Sequence, residues 1–412
     1  MYSWSVPSVP HCVGALRLAL YDAAMHAATL VTIDQPPAWR AESGAAAPRR
    51  VVAADDTTSA DTAYRLACEG TGLLWQGDFQ NARQLLQALA RRTERKPKKN
   101  KKPEADITPV QAFNLHRQAL GQRARILAMV IVPLEGDYSI PLRRAPDLKL
   151  ACTEAWGHAT GAPCMVSLRE LLGMVGAHEW RKKGVEIAAL GDAPHNRIHP
   201  HYGVFSPVRG EYVDLVASTP IPDKSLAFDI GVGTGVLSAV LAKRGVQRIV
   251  ATDQDPRALA CARENLQRLQ RLDQVALRQT DLFPEGQAPL IVCNPPWVPA
   301  RPSSPIEHAV YDEGSRMLRG FLGGLRAHLA PQGEGWLILS DLAEHLGLRS
   351  RDELMAWISE AGLQVAGRHD IQPRHGKATD ETDPLHAARA KETTSLWRLT
   401  TASAKPTNSP EV

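Results

Sequence analysis

From residue 225 to 399, short apolar runs alternate with longer segments of helical periodicity, and few architectures accept that order. Residues 226–230, 248–252, 290–293 and 336–339 read as strands, and 236–244, 258–269, 315–329 and 351–361 as helices between them. Parallel neighbours in a sheet need a crossover of about a dozen residues, usually a helix, whereas antiparallel neighbours need only a tight turn. The alternation therefore predicts an α/β fold: a mostly parallel sheet with helices on both faces. Two last runs, 363–366 and 395–399, would close one edge as an antiparallel pair.

At 412 residues the chain exceeds one ordinary core, so a second domain is expected in residues 1–200, ahead of the α/β domain at 201–400. Helical periodicity at 1–33, 81–92 and 109–122 predicts a mainly helical N-terminal domain. A further helix opens at Ser167, where Ser167 and Glu170 have capping-box spacing, and stops at Gly184. Residues 126–132 read as a strand, 41–60 as a flexible connection and 401–412 as a disordered polar tail.

Charge narrows the partners. The net charge is +4, and residues 1–220 hold 26 Lys+Arg against 21 Asp+Glu. That excess lies in residues 91–102, which have eight basic residues and one acid. The prolines and like charges there read as a solvated linker, spanning about 91–104, that can touch phosphate, although no aromatic residue is interleaved for base stacking. Cys12, Cys68, Cys152, Cys164, Cys261 and Cys293 form no CxxC pair, so neither a disulfide framework nor a metal site is expected. No run of about eighteen apolar residues suggests a membrane span, and a cytoplasmic location is the expectation.

Two motifs carry chemistry. In Phe228-Asp229-Ile230-Gly231-Val232-Gly233-Thr234-Gly235, glycines at every second position join a strand to a helix. They allow close backbone approach to a ligand whose charge meets the helix's first amides. The spacing differs from the G-x-G-x-x-G of dinucleotide oxidoreductases. Asp253 ends the next strand, where an acid accepts from ribose hydroxyls, and Asp281 ends a further short one. The second motif, Asn294-Pro295-Pro296-Trp297, directly follows the run 290–293 at the carboxyl edge where such sheets bind ligands. An exocyclic NH2 is a poor nucleophile because its lone pair is delocalised. The Asn294 side-chain carbonyl and the Pro295 backbone carbonyl can each accept one N–H and hold that nitrogen in line for attack. Proline aims the carbonyls in advance, and Trp297 can stack on a flat acceptor.

Together, Asp229–Gly235, Asp253, Asp281 and Asn294–Trp297 resemble the class I S-adenosylmethionine methyltransferases, and most of all the HemK-like N-methyltransferases with N-P-P-[YFW]. The similarity covers residues 200–400 and implies a Rossmann-like sheet. It implies S-adenosyl-L-methionine as cofactor, with Asp229, Gly231, Gly233 and Gly235 on its methionine portion, Asp253 on the ribose and Asp281 on the adenine. Asn294 would adjoin both cofactor and acceptor. Pro207 and Glu211 resemble the group's approach segment, whereas Trp297 stands where its glutamine methyltransferases have tyrosine. The implied reaction is methylation of a planar nitrogen: a protein glutamine, a nucleobase or a heteroaromatic small molecule. Tyr202, upstream, and Arg301, on the proline-rich loop after the motif, are further candidate acceptor contacts. His195, His199 and His201 are irregularly spaced and read as a polar loop beside the cleft.

Overall fold

The computed structural model describes residues 30–94, 107–302, 305–373 and 380–402. Within the C-terminal half, seven strands form one sheet: β8 (Leu226–Ile230), β9 (Arg248–Asp253), β10 (Val275–Gln279), β11 (Ala288–Cys293), β12 (Leu329–Ser340), β13 (Leu363–Ile371) and β14 (Thr394–Thr401). Their order is β10-β9-β8-β11-β12-β14-β13, parallel throughout except for β14, which runs against both neighbours. Chain order reverses between β8 and β11, so a crevice opens at their carboxyl ends.

Side-chain alternation divides the sheet into two cores. Ala227, Leu290, Val292, Trp336, Ile338 and Leu396 face one layer, which contains the helices α6 (Glu211–Ser218) and α7 (Val236–Lys243). Phe228, Ile230, Ile291, Cys293, Leu337, Leu339 and Trp397 face the other, with α9 (Arg316–His328) and α10 (Arg351–Glu360). Helices cover both faces, and strands buried on both sides read as continuous apolar runs. Each strand and helix expected here is present, with its ends displaced by a few residues and β12 much longer.

The N-terminal half corrects the mainly helical expectation. Its helices α1 (Ala60–Cys68), α2 (Phe79–Thr93), α3 (Pro109–Ala128), α4 (Lys149–Trp156) and α5 (Leu168–Lys183) contribute to the core on one face of a five-stranded sheet, while Val51, Leu74, Ile131 and Met165 on the other face pack with Ile33 and Trp39. The strands β1 (Ala38–Arg40), β2 (Arg50–Ala54), β3 (Thr71–Trp75), β4 (Val130–Leu134) and β5 (Cys164–Ser167) are ordered β1-β5-β4-β3-β2, and β6 (Val185–Glu186) and β7 (Arg197–Ile198) form a separate antiparallel pair. β2 overturns the flexible reading of 41–60: Val52 is fully buried beneath Ala63 and Leu73 in the same core. Residues 126–128 finish α3 instead of starting a strand. Ser167 precedes α5 without a side-chain cap, and Glu170 accepts from the Glu42 amide at 2.7 Å instead of closing the expected capping box. Gly184, at φ 70°, ends that helix as expected. The helical reading of residues 1–29, the basic run from 95 to 106 and the tail from 403 lie outside the described residues.

The halves meet over a broad seam. Phe113 of α3 shares a core with Val298, Leu342, Leu346, Leu385 and Ala388. Arg257, early in α8 (Pro256–Arg268), pairs with Glu42 at 2.8 Å, and Arg181 of α5 with Glu264 at 2.7 Å.

Candidate active site

The glycine turn lies where β8 ends. Gly231, Gly233 and Gly235 have φ of 80°, 51° and 82°, the left-handed region that side chains resist. A Cβ at Gly231 would also come within 2.7 Å of the Met317 Cε. The Gly231 and Val232 amides both donate to the Thr252 carbonyl of β9, at 2.9 and 2.8 Å. Gly233 donates to Asp253 Oδ2 at 3.1 Å, and the Asp255 amide to Oδ1 at 3.0 Å. The turn and the acid of the next strand are thus one unit, and burial raises the Asp253 carboxyl.

Asp229 is buried and accepts from the Ser238 hydroxyl at 2.6 Å. Burial pushes its carboxyl up to about 6, against the two Ser238 hydrogen bonds. Glu211, buried at the start of α6, has an oxygen that no hydrogen bond among the described residues reaches. Acceptor-only oxygens held out of water favour a donor-rich cation. The ammonium and sulfonium end of S-adenosylmethionine has that character, so residues 229–253 fit this cofactor. When bound, it supplies a methyl group activated by the sulfonium.

Asp281 is exposed just past β10 and pairs with Arg316 at the start of α9. It thus lies at the carboxyl edge beyond Asp253, on the side of the sheet away from Asn294. An exposed pair of this kind is weak enough for an incoming base to displace.

Asn294 follows β11 and continues the face of Leu290 and Val292. Its Oδ1 accepts from the Trp297 indole Nε1 at 2.9 Å, which leaves that oxygen one free lone pair. The indole packs against both sheet cores and the interdomain core, so it is a fixed wedge more than a free stacking platform. Its N–H also orients the carboxamide, since a flipped amide would set donor against donor. Pro295 is buried and Pro296 half-buried. Cys293 is fully buried in the core, and burial holds its thiol well above the usual range.

Tyr202 sits in the interdomain seam, packed on the N-terminal core with the Arg257 guanidinium 5.9 Å from its ring centre. His199 contacts the Arg181 carbonyl at 2.6 Å and His201 contacts Glu264 at 2.7 Å, so both are turned into the same seam. Among the described residues no group of three or more His, Cys, Asp or Glu could hold a metal, and no helix is long and apolar enough to cross a membrane. Arg301 is exposed, and what is held is its backbone carbonyl, to which Arg117 of α3 donates at 2.6 Å.

Sequence reasoning missed two further residues of this edge. Asp312 Oδ2 accepts the Met317 and Leu318 amides at 2.9 and 3.3 Å, capping α9 from five and six residues away, and burial raises its carboxyl. Ordinary cap spacing is two or three residues, so no pattern announced it. Arg117 lies 177 residues before Asn294 and carried no motif signal.

Residues 196–345 match the methyltransferase small domain family. A tRNA1(Val) (adenine(37)-N6)-methyltransferase of Shewanella loihica is 28% identical over 183 residues, covering 42% of this chain and 72% of that protein. A putative protein N5-glutamine methyltransferase of Methanocaldococcus jannaschii is 29% identical over 154 residues, covering 35% of this chain and 76% of that protein. Sheet order, glycine turn and matched domain agree: the C-terminal half of this chain carries a class I, S-adenosylmethionine-dependent methyltransferase domain, similar to enzymes that methylate nitrogen in tRNA adenine and in protein glutamine.

Proposed function

We propose that the chain methylates an exocyclic NH2 conjugated to a π-system, and that the acceptor is a base in RNA. The observation that carries the nitrogen is the Asn294 carboxamide at the crevice. Its orientation is set by Trp297, and one lone pair of its oxygen remains for an N–H. The Pro295 carbonyl would take the second N–H. Two such bonds favour a nitrogen drawn out of conjugation, with its lone pair aimed at the methyl group, and they strengthen as positive charge develops there. In this reading the β8–β10 side of the crevice holds the cofactor through Asp229, Asp253 and Asp281. The β11–β12 side is left for the acceptor.

Charge favours RNA: eight basic residues between 91 and 102 precede the helix that touches the loop after the motif. The adenine-methylating relative supports the same choice. A protein amide is the second reading, supported by the glutamine-methylating relative and the N-P-P motif. The test is labelled S-adenosylmethionine with the full chain and separated RNA, protein and small-molecule fractions of a cell extract. Label in RNA that ribonuclease releases is the expected result. Label confined to protein would replace the first reading by the second, and label in neither would sink both.

A further inference from the structure

One guanidinium from the N-terminal half holds three points of the loop that follows the reactive motif. Arg117 Nη2 donates to the Arg301 carbonyl at 2.6 Å, and Nη1 lies 3.2 Å from Glu307 Oε2. The same group lies 4.0 Å from the centre of the Tyr311 ring. Tyr311 is bridged in turn to Val298, whose amide donates to the Val310 carbonyl at 3.2 Å. Val298 is buried next to Trp297, and Trp297 donates to Asn294. Asp312, one residue after Tyr311, donates its amide to the Val298 carbonyl at 2.9 Å and caps α9. An unbroken chain of contacts therefore runs from α3 to the oxygen that receives the acceptor.

We infer that Arg117 is a positioning residue for methyl transfer: from the N-terminal half it ties down Arg301, Glu307 and Tyr311, and through Tyr311 and Val298 sets Trp297 and Asn294 for the acceptor. The inference rests on the assignment of Asn294 to the acceptor nitrogen. The physical reasons are local. The loop carries Pro299, Pro302 and Pro305 and adds no strand to the sheet. Its backbone bonds tie Val298 to Val310 and Asp312, and among the described contacts Arg117 ties Arg301, Glu307 and Tyr311 to the N-terminal half. Arginine suits that task, because its planar fork can bond a carbonyl, pair with a carboxylate and stack on a ring at once. The guanidinium is mostly shielded from water, with about a fifth of the side chain exposed, so screening weakens these contacts less than it does on an open surface. Displacements near 1 Å at a reacting group can cost about a hundredfold in rate.

Two readouts on the full-length chain test this. The first is turnover with the extract fraction that wild type labels, separated into kcat and KM for the acceptor, with cofactor affinity measured alongside. R117A should lower kcat about tenfold or more while S-adenosylmethionine affinity and melting temperature stay close to wild type. R117K, which can meet Glu307 but cannot span all three partners, should fall between, and Y311F, which keeps the ring, should match wild type. The second readout is cleavage at Glu307–His308 by a glutamate-specific protease, which R117A should accelerate about tenfold and R117K less. Unchanged kcat overturns the inference whatever the cleavage rate does. So does a loss of kcat that only tracks a matching loss of cofactor affinity and melting temperature. Should R117A fail to fold, R117K decides by the same criteria. If wild type labels no fraction, the cleavage arm still judges the tie made by Arg117, and only the assignment of Asn294 falls.

Discussion

Both halves of the molecule are built on a sheet with helices packed against it, on both faces in the C-terminal half and on one in the N-terminal half, and their carboxyl edges differ in what fills them. In the N-terminal sheet the turns after β2 and β3 carry Asp56 and Asp78, and the chain closes over them itself. Asp56 Oδ1 accepts the Asp78 amide at 2.9 Å, Arg143 meets Asp56 at 2.8 Å, and Arg144 meets Asp78 at 2.6 Å. In the C-terminal sheet the turn after β8 is a row of left-handed glycines, with Asp229 and Asp253 behind it. No arginine reaches either acid in a described ion pair. The Arg144 bond holds Asp78 below the usual carboxylate range, whereas burial raises Asp229. Similar layers therefore give a self-sealed edge in one half and an edge awaiting a ligand in the other. The choice lies in a few loop residues, as is general for function grafted on a shared fold.

The sharpest way to break that contrast is at Asn294. N294A should leave S-adenosylmethionine affinity nearly unchanged and lower turnover about a hundredfold or more, as loss of one oriented polar contact to a transition state does. Equal loss of both, by calorimetry and initial rates, would make Asn294 a structural residue. W297F keeps much of the wedge but removes the donor that orients the carboxamide, so turnover should fall about tenfold with cofactor affinity again unchanged.

Next in size is Asp253. D253A should weaken S-adenosylmethionine binding about tenfold or more: the Gly233 amide loses its anchor and, in the proposed reading, the ribose loses its acceptor. D56A, the counterpart at the sealed edge, should leave cofactor binding alone. A drop in cofactor affinity with D56A would show that the two edges are coupled and that the contrast is too simple.

How much of this was legible beforehand follows the same division. Four buried parallel strands and the antiparallel pair could be read in residues 226–399 because each run is apolar, short and separated by a helix. The order of Asp229, Asp253 and Asn294 along the chain sufficed to bring them to one edge, since every parallel strand delivers its carboxyl end to the same side. The N-terminal sheet was hidden. Its strands β2 and β3 are five residues each, and β2 sits among alanines and polar residues that read as connection. Contacts set by tertiary packing, such as Arg117 on Arg301 or Tyr202 in the seam, have no sequence period to reveal them.

Protonation offers a gentler test. Asp229 titrates near 6 when buried alone, so below that pH it carries a proton in the free protein. A cationic ligand end favours its ionised form and would expel that proton. S-adenosylmethionine affinity should therefore weaken about tenfold per pH unit as pH falls below about 6 and level off above it, and calorimetry in buffers of differing ionisation heat should register proton release near pH 5.5. D229N should remove both effects. Affinity that is flat from pH 5 to 8 in wild type would place the cation elsewhere.

The smallest effect belongs to the sealed edge and has the opposite sign. For Asp229 in the free protein the folded carboxyl is raised, so ionising it costs stability as pH rises towards 6, and acidification relieves that cost. Asp78 is depressed, so its contribution is present above the unfolded carboxylate range near 4 and is lost as pH falls through its lower folded value. Asp78 also caps α2 by accepting from the Gln80 amide at 2.8 Å. D78N keeps a capping oxygen but removes the charge that Arg144 meets, and D78A removes both. At pH 7 the melting temperature should fall by roughly a few degrees in D78A and by less in D78N. The gap between wild type and D78N should close as pH falls below about 4, because wild type then loses the same charge. Cofactor affinity should be unaffected in both variants. A gap that persists into acid would assign the stability to the cap alone, and the ion pair at that edge would count for nothing.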